Sequence, residues 1–197
     1  MGKLLNGWRA GGIFSLETGF PFTTGITTNH SRSGVAGGGQ TNSEPDRPDL
    51  VAGRNNSNIT SGTTAGCPGV AAGRKLGTQQ LWYDPCAFTL PPLGFTGNAG
   101  RNILRGPGID NLDFSLSKDT ALRFLGEGGK LEFRADFFNI LNHANLATPA
   151  SGGSGSNPAG VLFAGRADVE LPLATAGRIS NTSTASRQVQ LSLRIVF

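Results

Sequence analysis

The side chains able to do chemistry are few in this chain and stand far apart. The two histidines are His30 and His143. They share no His-x-x-x-His spacing and have no neighbouring cysteine pair, so a zinc centre is not expected. Asp110 with Asp113, and Glu132 with Asp136, are carboxylate pairs of the kind a hydrolase uses as acid and base. Each pair falls in a segment of alternating polarity, where the simpler reading is polar strand positions. Asp46, Asp49 and Asp84 could offer oxygens to calcium, but they lack the alternating Asp/Asn spacing of a calcium loop. Gly37-Gly38-Gly39 and Gly152-Gly153 precede no helix pattern, so they do not read as a phosphate cradle. The expectation is a non-enzyme without metal or cofactor. The remaining reactive pair is Cys67 and Cys86, which bracket a loop-like stretch. An even count fits a disulfide in an oxidising compartment, against two free thiols.

The elements that must carry these residues are strands. In residues 185–197, ASRQVQLSLRIVF, Val189, Leu191, Leu193, Ile195 and Phe197 share one parity. Gln188, Gln190, Ser192 and Arg194 share the other. That period of two gives one apolar and one polar face. Three earlier segments behave alike. Trp8, Ala10, Gly12, Phe14 and Leu16 alternate with Arg9, Ser15 and Glu17, with Ile13 interrupting the polar side. The Gly11-Gly12 pair could mark a bend or bulge there. Leu112, Phe114 and Leu116 alternate with Asp113, Ser115 and Ser117. Leu131, Phe133, Ala135 and Phe137 alternate with Glu132, Arg134 and Asp136. In that third segment Phe133, Phe137 and Leu141 also fit helical spacing, but the charge alternation favours a strand.

The expected fold is all-β: an antiparallel meander of about four long strands, near residues 7–20, 109–122, 130–141 and 185–197. The connections are of two kinds. Arg123 to Gly129 is short and Gly-rich, whereas residues 21–108 and 142–184 are long and polar. Compact soluble domains rarely carry loops of that length. Outer-membrane barrels do, with short periplasmic turns and long external loops. If Phe197 marks the periplasmic rim, strand directions put both long connections outside. Trp8, Phe124 and Phe197 then fall at the periplasmic interface, and Phe20 and Phe22 at the outer one.

Composition agrees. Charged residues are 15% of the chain, against a usual share of about 25%. Glycine, at 30 of 197 residues, is about twice its usual frequency of roughly 7%. The net charge is +4, but the 17 Lys and Arg form no basic run, so no nucleic-acid partner is expected. No apolar stretch approaches the ~20 residues of a membrane helix, which leaves a barrel open. Met1 to Leu5 carry one positive charge but no apolar core like that of a secretory leader. An exported barrel that starts this way is expected to be the C-terminal piece of a longer chain.

Four motifs carry a family resemblance. They are Trp82-Tyr83-Asp84-Pro85-Cys86-Ala87-Phe88, then Gly97-Asn98-Ala99-Gly100-Arg101-Asn102 with Arg105-Gly106-Pro107-Gly108, then Asn111-Leu112-Asp113-Phe114-Ser115-Leu116-Ser117-Lys118, and Phe133-Arg134-Ala135-Asp136-Phe137-Phe138-Asn139-Ile140-Leu141-Asn142-His143. With Arg187-Gln188-Val189-Gln190 leading to Phe197, their order resembles the C-terminal barrel segment of Oar-like TonB-dependent receptors. Val161 to Leu173 departs from that pattern. The resemblance implies an intact barrel of about 22 strands around an N-terminal plug. It also implies uptake of a ligand with energy drawn through the TonB system. The chain, residues 1–197, holds neither plug nor TonB box, and four strands cannot enclose a channel.

The expected site residues follow. Asp113, Ser115, Glu132, Arg134, Asp136, Gln188, Gln190 and Arg194 face the lumen. Leu112, Phe114, Leu131, Phe133, Val189, Leu191 and Leu193 face lipid. Trp82, Tyr83 and Arg101 are the candidates for ligand capture in an external loop. Phe197 is the insertion signal read by the barrel assembly machinery. The partners are outer-membrane lipid, the rest of the receptor and the TonB system, and the location is the outer membrane. The competing expectation is a soluble or secreted β-sandwich module that binds carbohydrate and buries the same apolar parity between two sheets.

Overall fold

A computed structural model describes residues 6–33, 46–149 and 160–197. The residues named above in Met1 to Leu5, Gly37 to Gly39 and Gly152 to Gly153 lie outside the described residues. The strands in chain order are β1 (Trp8–Glu17), β2 (Pro21–Phe22), β3 (Gly25–Ile26), β4 (Asp49–Leu50), β5 (Phe88–Thr89), β6 (Leu104–Arg105), β7 (Ile109–Ala121), β8 (Lys130–Phe138), β9 (Val161–Phe163) and β10 (Gln188–Val196). The chain forms two compact units. One comprises Met1–Glu17, Ile109–Asn145 and Thr184–Phe197, and the other Thr18–Gly108 and Leu146–Ser183.

The first unit is a four-stranded antiparallel sheet in the order β1-β7-β8-β10. It is an open sheet, with β1 and β10 at its edges. Period-two polarity explains why these segments pair: antiparallel register puts like parity beside like on every strand. One row runs Ala10, Leu116, Ala135, Leu191 and the next Gly12, Phe114, Phe137, Val189. The segment with helical spacing, Lys130–Phe138, is a strand. Gly11 and Gly12 keep their partners Ser115 and Phe114 without a register shift, so the pair makes no bulge.

Three strand ends fall short of the boundaries expected from sequence, each for a local reason. β1 stops at Glu17. Past that point Phe20 accepts from the Gly106 N–H at 2.9 Å. β8 stops at Phe138, where Asn139 takes a left-handed φ of 50°. β10 starts only at Gln188, and the Arg187 N–H goes to the Asn142 side chain at 3.1 Å. The β7–β8 connection is a tight turn. Leu122 donates to the Gly129 carbonyl at 2.8 Å, and Gly126 supplies a φ of 102° that other residues rarely adopt.

The second unit corrects the picture of two long loops. Its segments fold around their own core of Phe22, Ile26, Ile59, Tyr83, Phe88, Leu104, Leu162 and Phe163. Its strands are two or three residues long: β2 pairs with β6, β4 with β5, and β3 runs parallel to β9. A four-residue helix, α1 (Asn56–Ile59), is capped by the Asn55 side chain. Cys67 and Cys86 form a disulfide across a Cα separation of 5.6 Å. Phe22 belongs to this core, not to an outer aromatic girdle: it is buried, with its ring 5.9 Å from that of Tyr83. Phe20, by contrast, is 58% exposed.

Candidate functional site

The apolar face of the sheet is the first candidate surface. Phe14, Leu16, Val189, Leu191, Leu193 and Ile195 are each more than half exposed. Apolar area left in water forgoes about 25 cal/mol per Å². A contiguous patch of this kind marks a surface that meets another apolar phase. Lys118 and Asp110 bracket the apolar positions Leu112, Phe114 and Leu116 on β7. At one end Lys118 lies over the Trp8 ring, 4.7 Å from its centroid.

The opposite face is polar and charge-balanced. Its rows are Gly11, Ser115, Asp136, Gln190; then Arg9, Ser117, Arg134, Ser192; then Asp119, Glu132, Arg194. Asp113 pairs in register with Ile13 of β1. Gln188 stands beside Phe138 at the start of β10. Asp113, Ser115, Glu132, Arg134, Asp136, Gln190 and Arg194 thus share one face, as their parity requires. Arg9 pairs with Asp119, Lys130 with Glu132 at 2.5 Å, and Arg134 with Asp136 at 2.8 Å. Glu132 and Asp136 each hold a cation. Arg9–Asp119 crosses from β1 to β7, whereas the other two pairs join alternate residues of β8; a cross-strand pair contributes about 0.2–1 kcal/mol. The main effect of all three is to let a polar face carry charge without net repulsion.

Where β8 ends and β7 and β10 begin, a polar latch ties the strands together. Asn139 is buried, with its backbone N–H on Asp113 Oδ1 at 2.9 Å. Its amide donates to the carbonyls of His143 at 2.9 Å and Ala185 at 3.1 Å, and its Oδ1 accepts from the His143 N–H at 3.0 Å. Asn145 does the same from the other side. Its Oδ1 accepts from the Asp110 N–H at 2.9 Å, and its amide donates to the Asp110 carbonyl and to Thr184 Oγ1, both at 3.1 Å. Asp110 Oδ1 also meets His143 Nδ1. The latch therefore uses Asp110, Asp113 and His143 as structural partners. Asn139 and Asn145 are missed by period-two reading. The available signal is the spacing Asn139, Asn142, Asn145 directly after a strand, since asparagine both tolerates positive φ and replaces backbone partners. Asn139→Ala is expected to cost about 2 kcal/mol. A urea midpoint that does not move would show the latch to be incidental.

In the second unit the three loop candidates separate. Arg101 is exposed on a turn. Trp82 is half-buried against the core, and its indole N–H donates to the Arg105 carbonyl at 2.8 Å. Tyr83 is fully buried between Phe22 and Phe88, so its side chain cannot meet a ligand from outside. Burial pushes the Tyr83 phenol far above its ordinary value, opposed by a hydrogen bond with the Gly177 backbone. His30 is equally internal, with Nε2 2.8 Å from the Pro91 carbonyl. Asp46, Asp49 and Asp84 do not converge. Asp46 accepts from Ser31, Asp49 from the Asn98 N–H, and Asp84 from Thr64. Among the described residues, no cluster of three or more acidic, His or Cys side chains could hold a metal.

Glu170 organises the segment that departs from the receptor pattern. Its carboxylate accepts from the backbone N–H groups of Gly165 at 2.7 Å, Arg166 at 2.5 Å and Ala167 at 2.8 Å. Burial opposes its ionisation, but these donors outweigh that and hold the pKa below the ordinary 4.5. A lowered folded-state pKa means the stabilisation is complete above 4.5 and is lost as pH falls through the folded value. Glu170→Gln is expected to lower stability at neutral pH and to converge with the parent in acid. Parallel stability curves across that range would contradict this.

Searches of curated proteins and of solved structures return no match for the chain. A family model described as an outer membrane beta barrel domain matches residues 1–190. Barrels of that kind turn the apolar face of their strands to the hydrocarbon of a bilayer. The chain belongs to the outer membrane beta barrel domain family, and its location is the outer membrane.

Proposed function

We propose that this chain is a wall segment of an Oar-like TonB-dependent receptor, with its second unit on the external side as a ligand-capturing surface. The observation that carries the reading is the connectivity of the sheet. β7 and β8 join through a short turn, whereas β1 leads to β7, and β8 to β10, through the segments that build the second unit. That alternation is the anatomy of an outer-membrane barrel. In this reading the edges of β1 and β10 pair with further strands of the same receptor. The polar rows face a lumen closed by a plug, and TonB supplies the energy for uptake. The chain itself does no catalysis. Arg101 is exposed to offer charge to a ligand, Trp82 offers part of its ring, and Tyr83 holds the core behind them. The exposed Phe197 serves as the aromatic signal for the barrel assembly machinery.

The test is genomic and direct. Coding sequence upstream, in frame or across a frameshift, is expected to encode further amphipathic strands and a plug. An upstream region that is non-coding in every frame over that length would refute the receptor reading.

A further inference from the structure

We propose that Lys118, held by Trp8 and Asn6, is a binding site for the phosphate of a phospholipid headgroup on the turn side of the sheet. Lys118 lies on the apolar parity of β7, in the row Trp8, Lys118, Phe133, Leu193. The side chains sharing its face nearby are Trp8, Ala10, Leu116, Thr120, Leu131 and Phe133. None of these is charged. The acidic residues of the adjoining positions, Asp119 and Glu132, stand on the other face with Arg9 and Lys130. An ammonium on a lipid-facing row is costly at mid-bilayer and nearly free at headgroup level. The row therefore lies at the boundary, where phosphates are at hand.

Two of its contacts aim the cation. Nζ sits 4.7 Å from the centroid of the Trp8 ring and donates to the Asn6 carbonyl at 3.1 Å. Trp8 is the interfacial residue type, with an apolar body and a polar N–H. The adjoining turn supports the same depth: Phe124, next to exposed Arg123, is 81% exposed. An aromatic that open to its surroundings belongs at a membrane boundary. The charge of this patch is positive and its surroundings are apolar, which fits a lipid phosphate better than a solvated ion.

The proposal rests on the outer-membrane assignment and not on ligand uptake, so the genomic test above leaves it untouched. The experiment compares partition of the full chain into vesicles of phosphatidylglycerol and of digalactosyldiacylglycerol, which has no phosphate. Lys118→Gln is expected to weaken partition into the phosphatidylglycerol vesicles about fivefold, the worth of one basic side chain at an anionic surface. It should leave partition into the galactolipid unchanged. Lys118→Arg should restore the parent value. Trp8 emission, read in a Trp82→Phe background, should shift with Lys118→Gln only in the phosphate lipid. Free inorganic phosphate should not reproduce the parent spectrum. Equal partition of parent and Lys118→Gln into phosphatidylglycerol, an equal loss in galactolipid, failure of the parent to prefer phosphatidylglycerol, or rescue by free phosphate would each overturn the site.

Discussion

Arg54→Met is expected to destabilise the second unit by about 3–5 kcal/mol, because it strands a buried charge. The Asp84 carboxylate is 1% exposed. It accepts from Thr64 Oγ1 at 2.6 Å and from the Cys86 N–H at 3.1 Å, and it pairs with the Arg54 guanidinium. Two neutral donors cannot balance a full negative charge in that environment. Asp84 also ties the unit together through its backbone, donating to the Ile59 carbonyl at 2.8 Å. The disulfide half-cystine Cys86 follows it two residues on. Loss of Arg54 should therefore loosen α1 and the disulfide-bearing turn at once. Trp82 fluorescence during urea unfolding reads this directly, since its indole packs on the same core. The double variant Arg54→Met with Asp84→Asn should recover much of the loss. A double variant as unstable as the sum of the two singles would show that Arg54 acts through packing and not through charge.

The second large effect concerns the two faces of β10. Leu191→Arg, one row inward of the Lys118 row, is expected to cost about 1–3 kcal/mol in membrane assembly, between the interfacial and the midplane penalty for a basic side chain on the lipid face. Leu191 stands in the row Ala10, Leu116, Ala135, Leu191, flanked on its own strand by Val189 and Leu193. Gln190→Arg places the same side chain one residue away and on the opposite face. There it meets Asp136 in register, so it should assemble as well as the parent. The measurement is the folded, protease-resistant fraction recovered from outer membranes. Equal recovery of the two variants would mean the sheet has no lipid side, and the facing assigned to every strand would fall with it.

Much of the sheet is legible from residues alone. A strand's two faces are set by alternation within that strand, so local polarity carries the information. Leu112, Phe114, Leu131, Phe133, Val189 and Leu191 name one face without any knowledge of their partners. The ends of those strands are less legible. β8 stops at Phe138 because Asn139 is held at positive φ by Asp113, His143 and Ala185, residues from three separate stretches of chain. No alternation within the strand foretells that.

The second unit shows the limit more sharply. Phe22, Ile26, Ile59, Tyr83, Phe88, Leu104, Leu162 and Phe163 make one core from residues that run from position 22 to position 163 of the chain. Strands two or three residues long leave no period to detect. The unit is held by side chains bonding backbone, by a disulfide and by a buried ion pair, none of which has a repeat. Tyr83 is the clearest case: polar-loop composition places it at the surface, and long-range packing buries it.

By itself, then, the sequence determined the four amphipathic strands, their order and the two chemical faces they present, because a period of two is a property of neighbours along the chain. The tertiary structure alone decided where those strands end, which loop residues are core, and that Lys118 lies over Trp8, because each depends on partners brought together only by folding.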